Sequence, residues 1–135
     1  MSRIPLLLII AVVACVTTHC AKKGIEIPEG RTVYSIAVHG DRIAYVFGFS
    51  KDKSWSMSIY VDCEGKVRGP YQMVRSLRWS DDGKRIIYEA RTIEGMLCFN
   101  GDRREGPFNS DSRNLWSPDG STLVRCSNEY VYVNG

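Results

Sequence analysis

The sequence is poor in the side chains from which most catalytic and metal sites are built. Its only histidines are His19, near the N-terminus, and His39, which argues against a zinc site or a histidine-based catalytic triad. The five cysteines never show C-x-x-C spacing, and no G-x-S-x-G nucleophile motif occurs. Ser50 and Lys53 satisfy S-x-x-K, but they stand in a polar stretch between predicted strands. We therefore predict a non-enzymatic protein with no metal and no cofactor.

The chain also lacks a concentrated charge and a long apolar run. Its formal net charge is +3, and acidic residues are interleaved with basic ones, as in Arg103-Arg104-Glu105. This pattern predicts no nucleic-acid partner, because such proteins usually carry a concentrated basic face. The apolar run from Ile4 to Val16 has 13 residues, whereas a membrane-spanning helix needs about 20. With the positive charge of Arg3 before it, the run is typical of a secretory signal.

Within that signal, Val12-Val13-Ala14-Cys15 resembles the lipobox of bacterial lipoproteins. The resemblance implies cleavage before Cys15, lipidation of its thiol and attachment to the membrane in the cell envelope. Residues 1–14 would then be the signal peptide and residues 15–30 a tether. Cys20 is a poorer candidate, because the preceding Thr18-His19 fits neither lipid-signal nor ordinary cleavage rules. Plain secretion and an uncleaved anchor are the alternatives.

Export changes how the other cysteines are interpreted. In an oxidising compartment, four thiols allow three disulfide pairings, and the sequence does not choose among them. Buried or tethered free thiols are the alternative. The four residues concerned are Cys20, Cys63, Cys98 and Cys126.

A repeat with a period of 37 residues governs the rest of the chain. Residues 79–83 read W-S-D-D-G and residues 116–120 read W-S-P-D-G. Each motif predicts a tight turn, in which an aspartate bonds nearby backbone and a glycine takes the left-handed conformation. The preceding tryptophan is predicted to pack inward as a core anchor. We assign structural roles in these turns to Asp82, Gly83, Pro118, Asp119 and Gly120.

These motifs resemble the WD40-like repeats of TolB-type bacterial β-propellers, also called PD40. The resemblance covers residues 31–135 and implies an all-β fold of about three four-stranded antiparallel meander blades, at residues 31–74, 75–111 and, incomplete, 112–135. Closed propellers have about four to eight blades, so the predicted propeller is partial. It is a truncated relative of a longer propeller, one part of a ring that several copies close together, or an open stack of three blades. In the first repeat, Ile36 takes the place of the tryptophan. Residues 25–28 are a candidate extra outer strand.

One departure from the repeat suggests a binding face. Tyr45 precedes Gly69 by 24 residues, whereas Tyr88 precedes Gly106 by 18, so the first unit has six extra residues near Gly48 to Trp55. Functional residues often lie on such irregular loops. A tolerated surface insertion is the alternative. The candidate binding face comprises Lys51, Lys53, Trp55, Arg75 and Arg113.

The function expected from these observations is that of an exported, lipid-anchored scaffold that binds an envelope protein or a small ligand. An open stack of blades leaves strand edges uncovered, which also predicts self-association. The alternative function is a truncated fragment of the propeller of a prolyl-oligopeptidase-like peptidase. A truncated product with no stable function is a third interpretation.

Overall fold

A computed structural model describes residues 26–49, 58–109, 113–126 and 130–134. Within these ranges the chain forms eleven β-strands in three antiparallel sheets and no helix. The prediction of an all-β fold built from antiparallel meanders is therefore confirmed. Several predicted features lie outside the described residues, namely the signal, Cys15, Cys20, Lys51, Lys53 and Trp55.

Each sheet is a meander whose strands follow chain order. Sheet 1 contains β1 (Arg31–His39), β2 (Arg42–Phe49), β3 (Ile59–Cys63) and β4 (Lys66–Tyr71). Sheet 2 contains β5 (Met73–Trp79), β6 (Ile86–Thr92), β7 (Gly95–Asn100) and β8 (Arg103–Phe108). Sheet 3 contains β9 (Arg113–Trp116), β10 (Leu123–Cys126) and β11 (Val131–Asn134).

The three sheets stack in chain order. Alternate residues of each strand point to opposite faces of its sheet. We call the face of each sheet that carries Ala44, Ile87 or Val124 its front, and the opposite face its back. Ala44 and Val46 on the front of sheet 1 share a core with Tyr88 and Ala90 on the back of sheet 2. A second core joins the front of sheet 2 to the back of sheet 3. Sheet 2 is thus covered on both faces.

The two tryptophans of the repeat are core residues, as predicted. Trp79 belongs to the first core and Trp116 to the second, and both are buried. Each stands at the end of a strand, directly opposite the first residue of the next strand, Ile86 or Leu123. The tryptophan therefore fills the layer between its own sheet and the preceding one.

The register of sheet 1 corrects the alignment of the first repeat. Val38 lies opposite Ile43 just as Trp79 lies opposite Ile86, so Val38 and not Ile36 takes the position of the tryptophan. The reason is that two fewer residues separate Val38 from Ile43 than separate Trp79 from Ile86. Counting back from the glycine therefore misplaces the anchor by two.

The candidate extra strand at residues 25–28 is also absent from the sheets. Ile25 lies outside the described residues, and residues 26–28 have no regular secondary structure. Among the described strands, β11 is consequently the outermost member of sheet 3. The equivalent third strands of sheets 1 and 2, β3 and β7, each pair with a fourth strand, β4 or β8.

Arginines hold the turns of adjacent sheets together at one end of the stack. Arg42 donates to the carbonyl oxygen of Gly83 at 2.6 Å, and Arg68 pairs with Asp102 at 2.6 Å. Arg85 donates to the carbonyl oxygen of Asp119 at 2.8 Å. The exposed Arg68–Asp102 ion pair contributes only about 0–1 kcal/mol. The buried apolar layers therefore supply most of the stability of the stack, and the arginine bonds add specific contacts between adjacent turns.

Candidate functional site

A groove of about 450 Å³ lies between sheets 2 and 3, along β5 and β9. Its volume falls within the range of about 300–1,000 Å³ typical of ligand pockets. Ile87 and Trp116 supply apolar wall, and Arg78 and Glu89 supply charge. Among the described strands, β5 and β9 are each the end strand of their sheet, so two strand edges border the groove.

A buried carboxylate belongs to the groove wall. Glu89 lies on the front of sheet 2, where the register places Arg75 directly opposite it. Arg75 Nε donates to Glu89 Oε2 at 2.6 Å, and Cys98 Sγ donates to Glu89 Oε1 at 3.9 Å. The ion pair compensates the buried charge and holds the carboxylate in one orientation.

The thiol beside this carboxylate is unreactive. Burial raises the pKa of Cys98 to about 12, and the negative charge of Glu89 adds to the rise. Because the thiolate is the nucleophilic form of cysteine, Cys98 stays protonated and inert at neutral pH. Cys63, Cys98 and Cys126 are free thiols.

Arg78 closes the groove at the end where the turns lie. Its Nη2 donates to the carbonyl oxygens of Trp116 and Ser117, at 2.9 Å each. The backbone N–H of Asp81 donates to the carbonyl oxygen of Pro118 at 3.1 Å. These bonds tie β5 to the turn that follows β9.

The indole N–H of Trp116 lacks a hydrogen-bond acceptor among the described residues, whereas that of Trp79 has one. Trp79 Nε1 donates to the carbonyl oxygen of Ala37, on β1 of the preceding sheet, at 3.1 Å. Trp116 occupies the same register position in sheet 3, yet its buried Nε1 has no acceptor within the described part of the chain. A buried donor without an acceptor costs about 1–3 kcal/mol. Because Trp116 is among the residues that line the groove, a ligand oxygen would satisfy this donor if binding uncovers the buried Nε1.

The predicted turn residues form two matching turns at the closed end. Asp82 Oδ1 accepts from Ser80 Oγ at 2.6 Å and from the Lys84 N–H at 3.0 Å. The hydrogen bond from Ser80, followed by that from Lys84, lowers the pKa of Asp82.

The second turn repeats this arrangement. Asp119 Oδ1 accepts from Ser117 Oγ at 2.6 Å and from the Ser121 N–H at 3.0 Å. The bond from Ser117, with those from Ser121, lowers the pKa of Asp119 to about 2. Pro118 contributes the carbonyl oxygen that accepts from Asp81.

The turn glycines are constrained by conformation and by space. Gly83 has φ +67° and Gly120 has φ +73°, in the region that favours glycine. A Cβ on Gly83 would overlap the imidazole of His39, and a Cβ on Gly120 would lie 2.9 Å from Asn100 Nδ2. Both turns therefore pack against the preceding sheet.

The candidate binding face is only partly within the described residues, and its two described members do not share a surface. Arg75 lies on the front of sheet 2, paired with Glu89. Arg113 lies opposite Cys126 on the front of sheet 3, which points away from sheet 2. Sequence reasoning missed Arg78 and Glu89. A signal for Glu89 was present, since it is the one charged residue in the buried segment Ile86–Ala90.

Family models, curated proteins and solved structures all give no match to this chain. Within the described ranges, no helix is long and apolar enough to cross a membrane. The same residues contain no group of three or more histidine, cysteine, aspartate or glutamate side chains that could hold a metal ion.

Proposed function

We propose that this chain is a non-enzymatic binding scaffold of the cell envelope, exported and held at the membrane by a lipid on Cys15. Its sheets would be the blades of a partial β-propeller of the WD40-like type. The front-to-back stacking of three meanders, with successive sheets packed through apolar layers, supports the propeller arrangement. The segment Val12-Val13-Ala14-Cys15 supports the lipid anchor.

The proposed ligand is an extended peptide segment of another envelope protein, bound in the groove between sheets 2 and 3. The edges of β5 and β9, which are end strands among the described residues, border that groove, and a strand edge binds an extended peptide through main-chain hydrogen bonds. Ile87 and Trp116 line the groove with apolar surface beside such a peptide.

The observation that carries this proposal is the unsatisfied indole N–H of Trp116. The molecule itself indicates what the donor requires, because the matching N–H of Trp79 bonds a main-chain carbonyl oxygen of a neighbouring strand. A main-chain carbonyl of a bound peptide would give Trp116 the same partner.

The test uses immobilised short peptides of alternating apolar and polar residues as the probe. We expect the full chain to retain a subset of them, and Trp116→Phe to weaken retention about tenfold, which is the loss of about 1.4 kcal/mol of binding energy. Trp79→Phe is the matched control, since it makes the same change outside the groove. Equal retention by the wild type and Trp116→Phe, or equal losses in both variants, would contradict the proposal.

A further inference from the structure

The exposed large apolar side chains of the strands are confined to the two end sheets within the described ranges. On sheet 1 they include Ile36 and Val38, and on sheet 3 they include Leu115, Val131 and Val133. The strands of sheet 2 carry none, because both faces of that sheet are covered. The stack therefore ends in two faces that expose apolar side chains: the back of sheet 1, which also carries the Arg31–Asp62 ion pair, and the front of sheet 3, which also carries Arg113.

The front of sheet 3 exposes positions that are covered in the other sheets. By register, Leu115 corresponds to Ala37 of sheet 1, since the two lie opposite Val124 and Ala44. Leu115 is 70% exposed, whereas Ala37 is 8% exposed. Val133 corresponds in the same way to the buried Asn100 of sheet 2, yet it is 63% exposed. A further sheet on this face would bury both side chains.

The back of sheet 1 has an uncovered apolar position that is buried in the other sheets. Val38 takes the register position of Trp79 and Trp116, and it is 42% exposed, whereas Trp79 is 7% exposed. Trp79 is buried because the front of sheet 1 covers it, and Val38 has no such cover within the described part of the chain.

The side-chain volumes at the two end faces match each other. Between sheets 1 and 2, the small Ala37 on the front meets the large Trp79 on the back. Between the front of sheet 3 and the back of sheet 1, the larger Leu115 would meet the smaller Val38. The sizes are exchanged but the sum is similar, and volume-conserving exchanges are the ones that apolar cores tolerate best.

We propose that two copies of this chain associate head to tail, with the front of sheet 3 in each copy packed on the back of sheet 1 in the other. This contact continues the front-to-back stacking that already joins sheets 1, 2 and 3. Two copies supply six sheets, within the range of about four to eight that closes a propeller ring. A closed head-to-tail ring leaves neither end face exposed.

The pairing of faces rests on the stacking order and on the side-chain volumes. The number of copies rests on the propeller arrangement proposed above. The two proposals fail separately, because the dimer needs the end faces and the peptide site needs the groove between sheets 2 and 3. A dimer that retains no peptide would contradict the proposed peptide site and leave the proposed association intact.

Sedimentation equilibrium of the full chain tests the association, with one lysine placed on each end face. We expect twice the chain mass for the wild type and the mass of a monomer for Val133→Lys and for Val38→Lys. An equimolar mixture of the two variants should form a 1:1 pair, because each then contributes its one intact face. Ile93→Lys, which changes an exposed turn residue of sheet 2, is the control and should remain a dimer.

Other results overturn the proposal in distinct ways. A monomeric wild type removes it, and Val38→Lys that stays dimeric would mean a front-to-front contact instead. Mass that keeps growing with concentration would mean an open polymer and no ring. Thermal melts must show each variant folded, and Ile36→Lys with Leu115→Lys is a second pair that places charge on the same two faces.

Discussion

Replacing each core tryptophan by phenylalanine tests whether the two indoles differ in hydrogen bonding, because only Trp79 donates a hydrogen bond within the described residues. Both rings are buried at equivalent register positions, so the loss of ring volume should cost a similar amount in each variant. Trp79→Phe also removes the 3.1 Å bond from Nε1 to the Ala37 carbonyl oxygen, worth about 0.5–1.5 kcal/mol. Trp116→Phe removes a buried donor that had no acceptor among the described residues.

We therefore expect Trp79→Phe to be destabilised by about 1.5–4.5 kcal/mol more than Trp116→Phe, the sum of about 0.5–1.5 kcal/mol for the bond lost in one variant and about 1–3 kcal/mol for the unsatisfied donor removed in the other. Urea unfolding followed by near-ultraviolet circular dichroism gives the two free energies of unfolding. The difference corresponds to roughly 5–20 °C in melting temperature for a chain of this size. Equal destabilisation, or a larger loss in Trp116→Phe, would refute the assignment of the two indoles.

Three further predictions concern the turns and the anchor. Gly83→Val and Gly120→Val should each lower stability by about 1–2 kcal/mol or more in thermal melts, because φ is positive there; unchanged melts would mean that the turns tolerate a side chain. Asp119 has a folded-state pKa of about 2, below its unfolded value of about 3.9, so its contribution to stability is present above about pH 4 and is lost as pH falls toward 2. Asp119→Asn should therefore lose less stability than the wild type over that interval in urea titrations, and parallel losses would contradict this. Cys15→Ala should move the protein from the membrane to the soluble fraction, and intact mass should show acyl groups only on the wild type; a lipid-free wild type would rule out the anchor.

The sequence predicts most of the fold where turn chemistry dictates it. W-S-D-D-G and W-S-P-D-G place a core tryptophan, an aspartate that bonds backbone and a left-handed glycine, and all three are local requirements of a tight turn. The triplet that follows each motif starts β6 or β10. The first repeat lacks the motif, and there the alignment chose Ile36 where the register gives Val38.

The groove could not be predicted because it depends on contacts between sheets. The pairing of Arg75 with Glu89 requires the register shift in β5 between Arg75 and Arg78, where Ser76 has φ +58°. No residue type between Arg75 and Arg78 predicts a β-bulge. The bonds from Arg78 to carbonyl oxygens around Trp116 span 38 residues or more of sequence, and main-chain acceptors leave no pattern in the amino-acid letters.

The most direct test of the peptide groove is the nuclear magnetic resonance signal of the indole N–H groups during titration with a retained peptide. The three tryptophan signals can be assigned by single Trp→Phe replacements. We predict that the Trp116 Nε1–H signal moves to lower field as the peptide binds, because that proton gains an acceptor, while the Trp79 Nε1–H signal stays in place. A Trp116 signal that does not move at saturation, or an equal shift of the Trp79 signal, would contradict the account.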